Sequence, residues 1–143
     1  MRRRGRQAAC IGLAAMALCE ARLRLAMIRN EKLSAWLAAG GTQRVGDMPD
    51  RAWLHDFAWA LQGVARRAPF RADCLVRTLA ADRVLSILGW PCEIHLQAGT
   101  GASGFAAHAS LACAGVEVTG GPNAGLVTLL RSERLPQDDT RRT

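Results

Sequence analysis

RRAPFRADCLVRTLAADRVLSILGWPC, residues 66–92, is the stretch that decides the fold. A helix runs from about Asp73 or Cys74 to Leu88, because Leu75, Val76, Leu79, Ala80, Val84, Ile87 and Leu88 form a wide apolar face at three- and four-residue spacing. Gly89 suits the left-handed residue that follows a helix, and Pro91 prevents continuation. Beyond Pro91 the period changes. Glu93-Ile94-His95-Leu96-Gln97 alternates polar and apolar, the mark of a half-buried strand. One stretch thus holds a helix, its stop and the first strand of a sheet.

Toward the N-terminus the chain reads as helical. Asp50 can cap a helix whose apolar positions are Trp53, Leu54, Phe57, Leu61 and Val64, and Pro69 ends that segment. Glu31 to Ala39 is an earlier helix, stopped by Gly40-Gly41 and followed by a loop from Thr42 to Pro49. Ala8 to Ile28 is the first helix. Its basic start (Arg2-Arg3-Arg4-Gly5-Arg6) and the apolar run Ala8 to Cys19 resemble a signal peptide. That run has 12 residues, too few to span a bilayer, and Glu20, Arg22 and Arg24 continue a helical pattern. It is expected to pack on the domain, with membrane-surface contact as the weaker alternative.

Toward the C-terminus, Gly99 to Gly104 reads as a loop. Ala106 to Cys113 is a second strand, Ala114-Gly115 a tight turn, Val116 to Thr119 a third strand and Leu126 to Leu130 a fourth. Helices followed by an antiparallel sheet give an α+β class. The expected organisation is one domain over 1–143: a helical part over about 1–63, a catalytic core over about 64–131 and a frayed charged tail over 132–143.

The 143 residues are half hydrophobic, enough for a core without a metal or disulfide staple. Lys and Arg number 19 against 12 Asp and Glu, a formal charge of +7. The basic balance fits a solvated surface or attraction to an acidic peptide or membrane face. Nucleic acid is not expected, since no aromatic-interleaved basic stripe is present. The cysteines are Cys10, Cys19, Cys74, Cys92 and Cys113. Their number is odd and no CxxC pair occurs, so neither a zinc site nor a disulfide framework is expected. A reducing cytoplasm is the default. No cofactor is implied.

Two residues carry candidate chemistry. Cys74 opens a helix after an Arg-rich approach (Arg66, Arg67, Arg71). Unpaired N–H groups and the positive end of the dipole there favour thiolate and could hold an oxyanion. Asp73 opposes the thiolate. A small buried residue is the plain alternative for Cys74. His108 lies among small residues in Ala106-Ala107-His108-Ala109, on a strand. A helix-borne Cys against a strand-borne His is the arrangement of papain-like and transglutaminase-like sites, where imidazole takes the thiol proton and returns it to the leaving amine. His55 and His95 have no such setting.

Residues Arg66 to Ala80 resemble the nucleophile segment of the lasso-peptide leader peptidases, which are transglutaminase-like proteins related to the microcin-processing protein. The resemblance continues through Leu85-Ser86-Ile87-Leu88-Gly89-Trp90-Pro91-Cys92 and Gly104-Phe105-Ala106-Ala107-His108-Ala109. It covers roughly Val64 to Gly121, with an interval of 34 positions from Cys74 to His108. It implies a cysteine peptidase that removes the leader from a ribosomally made precursor before an ATP-using cyclase closes a ring. Nothing before Trp53 looks like an added recognition domain. The chain therefore resembles the split form, which relies on a separate leader-recognition protein.

The resemblance also exposes a departure. The family's acidic residue, about twelve positions after the His, falls on Gly120, and its Trp two residues after the His falls on Ser110. If Ala114-Gly115 is a two-residue turn, Cys113 faces Val116 and Leu111 faces Val118. Glu117 then sits opposite Ala112, about 13 Å along the strand from His108 and too far to orient it. Thr119 and Asn123 lie near the right level. A backbone carbonyl or water could also serve, or activity could be weak or lost. Two further functions stay open: a degenerate module that binds leader or cyclase without cutting, and a transglutaminase-type acyl transferase.

Overall fold

The computed structural model describes residues 3–27, 50–101, 104–120 and the backbone of 127–133. The helix expected over Glu31 to Ala39, the loop to Pro49 and Asn123 lie outside the described residues. Three helices are described: α1 (Arg3–Met27), α2 (Arg51–Arg67) and α3 (Cys74–Leu88). They accompany a four-stranded antiparallel sheet of β1 (Cys92–Gly101), β2 (Gly104–Cys113), β3 (Val116–Glu117) and β4 (Val127–Glu133), in the order β3-β2-β1-β4. The α+β reading holds.

The helix boundaries follow from local chemistry. Asp50 accepts from the N–H groups of Ala52 (2.9 Å) and Trp53 (3.3 Å), which starts α2 as expected. Gly89, at φ 74°, donates to Ser86 O at 3.1 Å, and Trp90 N–H bonds Leu85 O at 3.0 Å, which closes α3.

The core joins all three helices to one sheet face. Leu18 of α1, Leu54, Phe57 and Leu61 of α2, and Leu79 and Leu85 of α3 are fully buried with Leu111, Cys113 and Val118. Each such leucine or phenylalanine contributes roughly 1.5–3 kcal/mol. Trp53 stacks on Phe57 (5.1 Å) and meets Trp90 edge-on (5.3 Å), tying the start of α2 to the end of α3. Arg6 bonds Asp56 between α1 and α2, and Glu20 meets Arg83 at 3.2 Å between α1 and α3. Two apolar positions expected inside, Ile87 and Leu88, are exposed instead, while Thr78 and Asp82 are buried. Asp82 accepts from the Cys92 thiol at 3.7 Å, which fixes the entrance to β1.

The sheet departs from expectation in three places. β1 runs on to Gly101 and β2 begins at Gly104, so most of the expected Gly99–Gly104 loop is strand. β3 ends at Glu117, although Val118 N–H still bonds Leu111 O at 2.9 Å. β4 takes in Ser132 and Glu133, which composition had assigned to the tail. The Ala114-Gly115 turn is as expected, with Cys113 opposite Val116 and Ala112 opposite Glu117. Both turn residues have positive φ (50° and 76°).

Candidate active site

Cys74 is the first residue of α3 because Asp73 caps the helix. The Asp73 carboxylate accepts from Val76 N–H at 3.1 Å, and its carbonyl accepts from Arg77 N–H at 3.0 Å. Among the described residues this leaves the N–H groups of Cys74 and Leu75 for a ligand oxygen.

The thiol of Cys74 is half-buried and lies 4.0 Å from the carbonyl oxygen of Ala107. That carbonyl belongs to the residue before His108, so α3 delivers the thiol to the strand segment that carries the imidazole. The other cysteines have different surroundings. Burial pushes the Cys113 thiol up to about 11, and burial also raises Cys10, so both stay protonated and inert. Cys92 is buried against Asp82, and Cys19 is exposed on α1.

The Arg-rich approach is organised differently from the sequence expectation. Arg67 donates to Gly63 O at 3.0 Å within its own helix. Arg77, not singled out from sequence, brings its guanidinium to Asp73 O at 3.4 Å, beside the N-terminus of α3.

His108 sits mid-strand in β2, half-buried, directly opposite Gln97 of β1. Of the third members considered, Glu117 is exposed and opposite Ala112, four residues along the strand, as expected. Thr119 is fully buried, but its hydroxyl accepts from Leu111 N–H at 2.8 Å, three residues from His108. That bond accounts for its burial by repairing the ladder just past the end of β3. Gly120 has φ 104°, a backbone that side-chain-bearing residues rarely adopt. Ser110 is fully buried, and its hydroxyl has no hydrogen-bond partner among the described residues. His95 is held by Glu93 at 2.6 Å.

The residue missed from sequence is Gln97. Alternation assigned it to the polar face, yet it is 6% exposed. The β1–β4 register shifts between Leu96 and Gln97, so the simple period fails there.

Away from these residues, an apolar groove of about 530 Å³ between α1 and α2 is lined by Ile11, Leu18, Trp59, Val64 and Phe70 among others, and includes neither Cys74 nor His108. No described helix is long and apolar enough to cross a membrane.

A family model described as transglutaminase-like superfamily matches residues 15–131, a span containing both Cys74 and His108. Comparisons with curated proteins and with solved structures give no match. The matched superfamily includes cysteine peptidases and acyl transferases, whose chemistry uses a thiol and an imidazole of the kind found on α3 and β2. On a match that spans most of its length, the chain belongs to the transglutaminase-like superfamily.

Proposed function

We propose that the chain is a cysteine peptidase that removes the leader from a ribosomally made, lasso-type precursor before ring closure. The observation that carries the reading is the half-buried Cys74 thiol at the helix N-terminus, 4.0 Å from the carbonyl preceding His108. In this reading His108 takes the thiol proton as Cys74 Sγ attacks the scissile carbonyl. The N–H groups of Cys74 and Leu75 receive the developing oxyanion. His108 then protonates the leaving amine, a thioester remains on Cys74, and water activated by His108 releases the acid. The partners are the precursor leader, a separate leader-recognition protein and an ATP-dependent cyclase. Five unbridged thiols support a reducing, cytoplasmic setting.

The test is cleavage of a precursor in the presence of its recognition protein, read by mass. Cys74→Ala abolishes cleavage if the reading is right, and unchanged cleavage overturns it. Hydrolysis adds one water to the product; addition of an amine would show the acyl-transferase alternative.

A second reading has its own support. Gly120 stands where the related peptidases have an acid, which favours a module that binds leader or cyclase without cutting. Leader binding that survives Cys74→Ala, without labelling of Cys74 above the other cysteines, would identify it.

A further inference from the structure

We infer that the apolar groove between α1 and α2 docks an acidic, amphipathic helix of the peptide substrate. The identity of that occupant rests on the peptidase reading, and its chemistry rests on the groove itself.

The groove holds about 530 Å³, and apart from Arg67 its walls are apolar or small. Two of those walls, Ile11 and Trp59, are large and apolar yet 42% and 57% exposed. On α1 the lining runs Ile11, Ala15, Leu18 at three- and four-residue spacing, about 10 Å of helix at 1.5 Å per residue. That length matches two turns of a partner helix laying anchors at i, i+3 or i+4, and i+7 into it. After α2 ends, Pro69 and Phe70 continue the wall. Cys74 follows four residues later, so at most about 14 Å of chain separates it from Phe70. A peptide leaving the groove at Phe70 is therefore within reach of the nucleophile.

The rim is basic. Arg22 continues the stripe of Ile11, Ala15 and Leu18 by one more turn, and Arg66 lies two turns along α2 from Trp59 on the same stripe. Arg67 is itself a wall, and Arg71 follows Phe70. All four arginines are exposed, and none makes a salt bridge among the described residues. The acids of the same helices are engaged elsewhere: Asp56 meets Arg6, and Glu20 meets Arg24 and Arg83. Asp50 and Asp73 cap α2 and α3. Guanidinium groups around an apolar groove select a partner that combines carboxylates with apolar anchors. A second copy of the chain would bring the same basic rim and a formal charge of +7 against it, which disfavours self-association. A bilayer surface would meet the rim but leave the concave walls unfilled, whereas a helix with apolar anchors fills both.

The experiment uses the full chain and three synthetic peptides. One has leucines at helical spacing flanked by glutamates, the second has lysines in place of the glutamates, and the third scrambles the acidic sequence. Cys19 is exposed and lines the groove, so its labelling by iodoacetamide, read by mass, reports occupancy. The patterned acidic peptide slows labelling of Cys19 about tenfold at saturation, and the other two leave it within about twofold. Trp59→Ala and Arg66→Glu, both at exposed positions, each weaken the binding about tenfold with urea midpoints unchanged. In precursor cleavage the same variants raise KM about tenfold with kcat within about twofold. No protection of Cys19 by the acidic peptide at millimolar concentration overturns the inference, and so does equal protection by the lysine peptide. Protection by phosphatidylglycerol vesicles without protection by the peptide overturns it in favour of a membrane face. The labelling needs no cleavage, so a chain whose Cys19 is protected but which cuts nothing overturns the peptidase reading alone.

Discussion

Asp73 spends its carboxylate on Val76 N–H, 3.1 Å away, one residue ahead of the Cys74 thiol. The cap builds the helix N-terminus that favours a thiolate, while the charge of the same carboxylate works against it. Asparagine caps nearly as well without the charge. Asp73→Asn is therefore expected to keep stability within a few tenths of a kcal/mol and to speed iodoacetamide labelling of Cys74. Asp73→Ala should cost about 1 kcal/mol in denaturant unfolding.

Thr119 Oγ1 accepts from Leu111 N–H at 2.8 Å in a fully buried setting. Thr119→Val leaves that N–H unpaired, so unfolding free energy should fall by about 1–3 kcal/mol. Cleavage per folded molecule should stay within about twofold, because the bond supports the sheet and not the imidazole. A loss of activity with unchanged stability would return Thr119 to the orienting role.

Gly120 has a φ of 104° with open space where a Cβ would stand. Restoring the family acid there is limited by backbone conformation, not by crowding. Gly120→Asp should destabilise by about 1–3 kcal/mol in urea unfolding and should not raise the cleavage rate. A tenfold rate gain would show that the segment relaxes to present the carboxylate to His108.

How much of this was legible depended on how local the signal was. The stop at Gly89 and the turn at Ala114-Gly115 are set by adjacent residues, and both were readable. So was Cys74 at a helix start. The pairing of Gln97 with His108 was not, because it depends on a register between strands and on a slip in β4 that no local pattern announces. Alternation placed Gln97 in solvent for the same reason. Thr119 is expected near the level of His108, yet its hydroxyl partner is the backbone N–H of Leu111, just past the early end of β3. The exposure of Ile87 and Leu88 shows the same limit: periodicity drew one apolar face, and the neighbours buried Thr78 and Asp82 instead.

Cys113 is 1% exposed, and burial lifts its thiol from 9.0 to about 11. The folded state therefore holds its proton more tightly than the unfolded chain. Its stabilising effect is complete below about pH 9 and fades as pH rises toward 11, by up to about 3 kcal/mol. Cys113→Ala should lower stability near neutrality through the lost side chain, but flatten the alkaline fall. Urea midpoints measured across that range would show the two curves converging.

Asp56 of α2 is held below the usual carboxylate range, first by its hydrogen bond from Arg6 and further by the charge of that guanidinium. Gln7 adds a longer contact at 3.5 Å. A carboxyl with a lower pKa folded than unfolded stabilises fully above about pH 4, its value in an unfolded chain, and loses that contribution as pH falls through the folded value. Arg6 stays charged throughout, so the titration belongs to Asp56. Asp56→Asn should be less stable than wild type at neutral pH, and the gap should close as acid protonates the wild-type carboxyl. Urea midpoints from neutral pH downward would show this convergence. A gap that persists undiminished in strong acid would mean that packing around Asp56, and not its pairing with Arg6, joins α1 to α2.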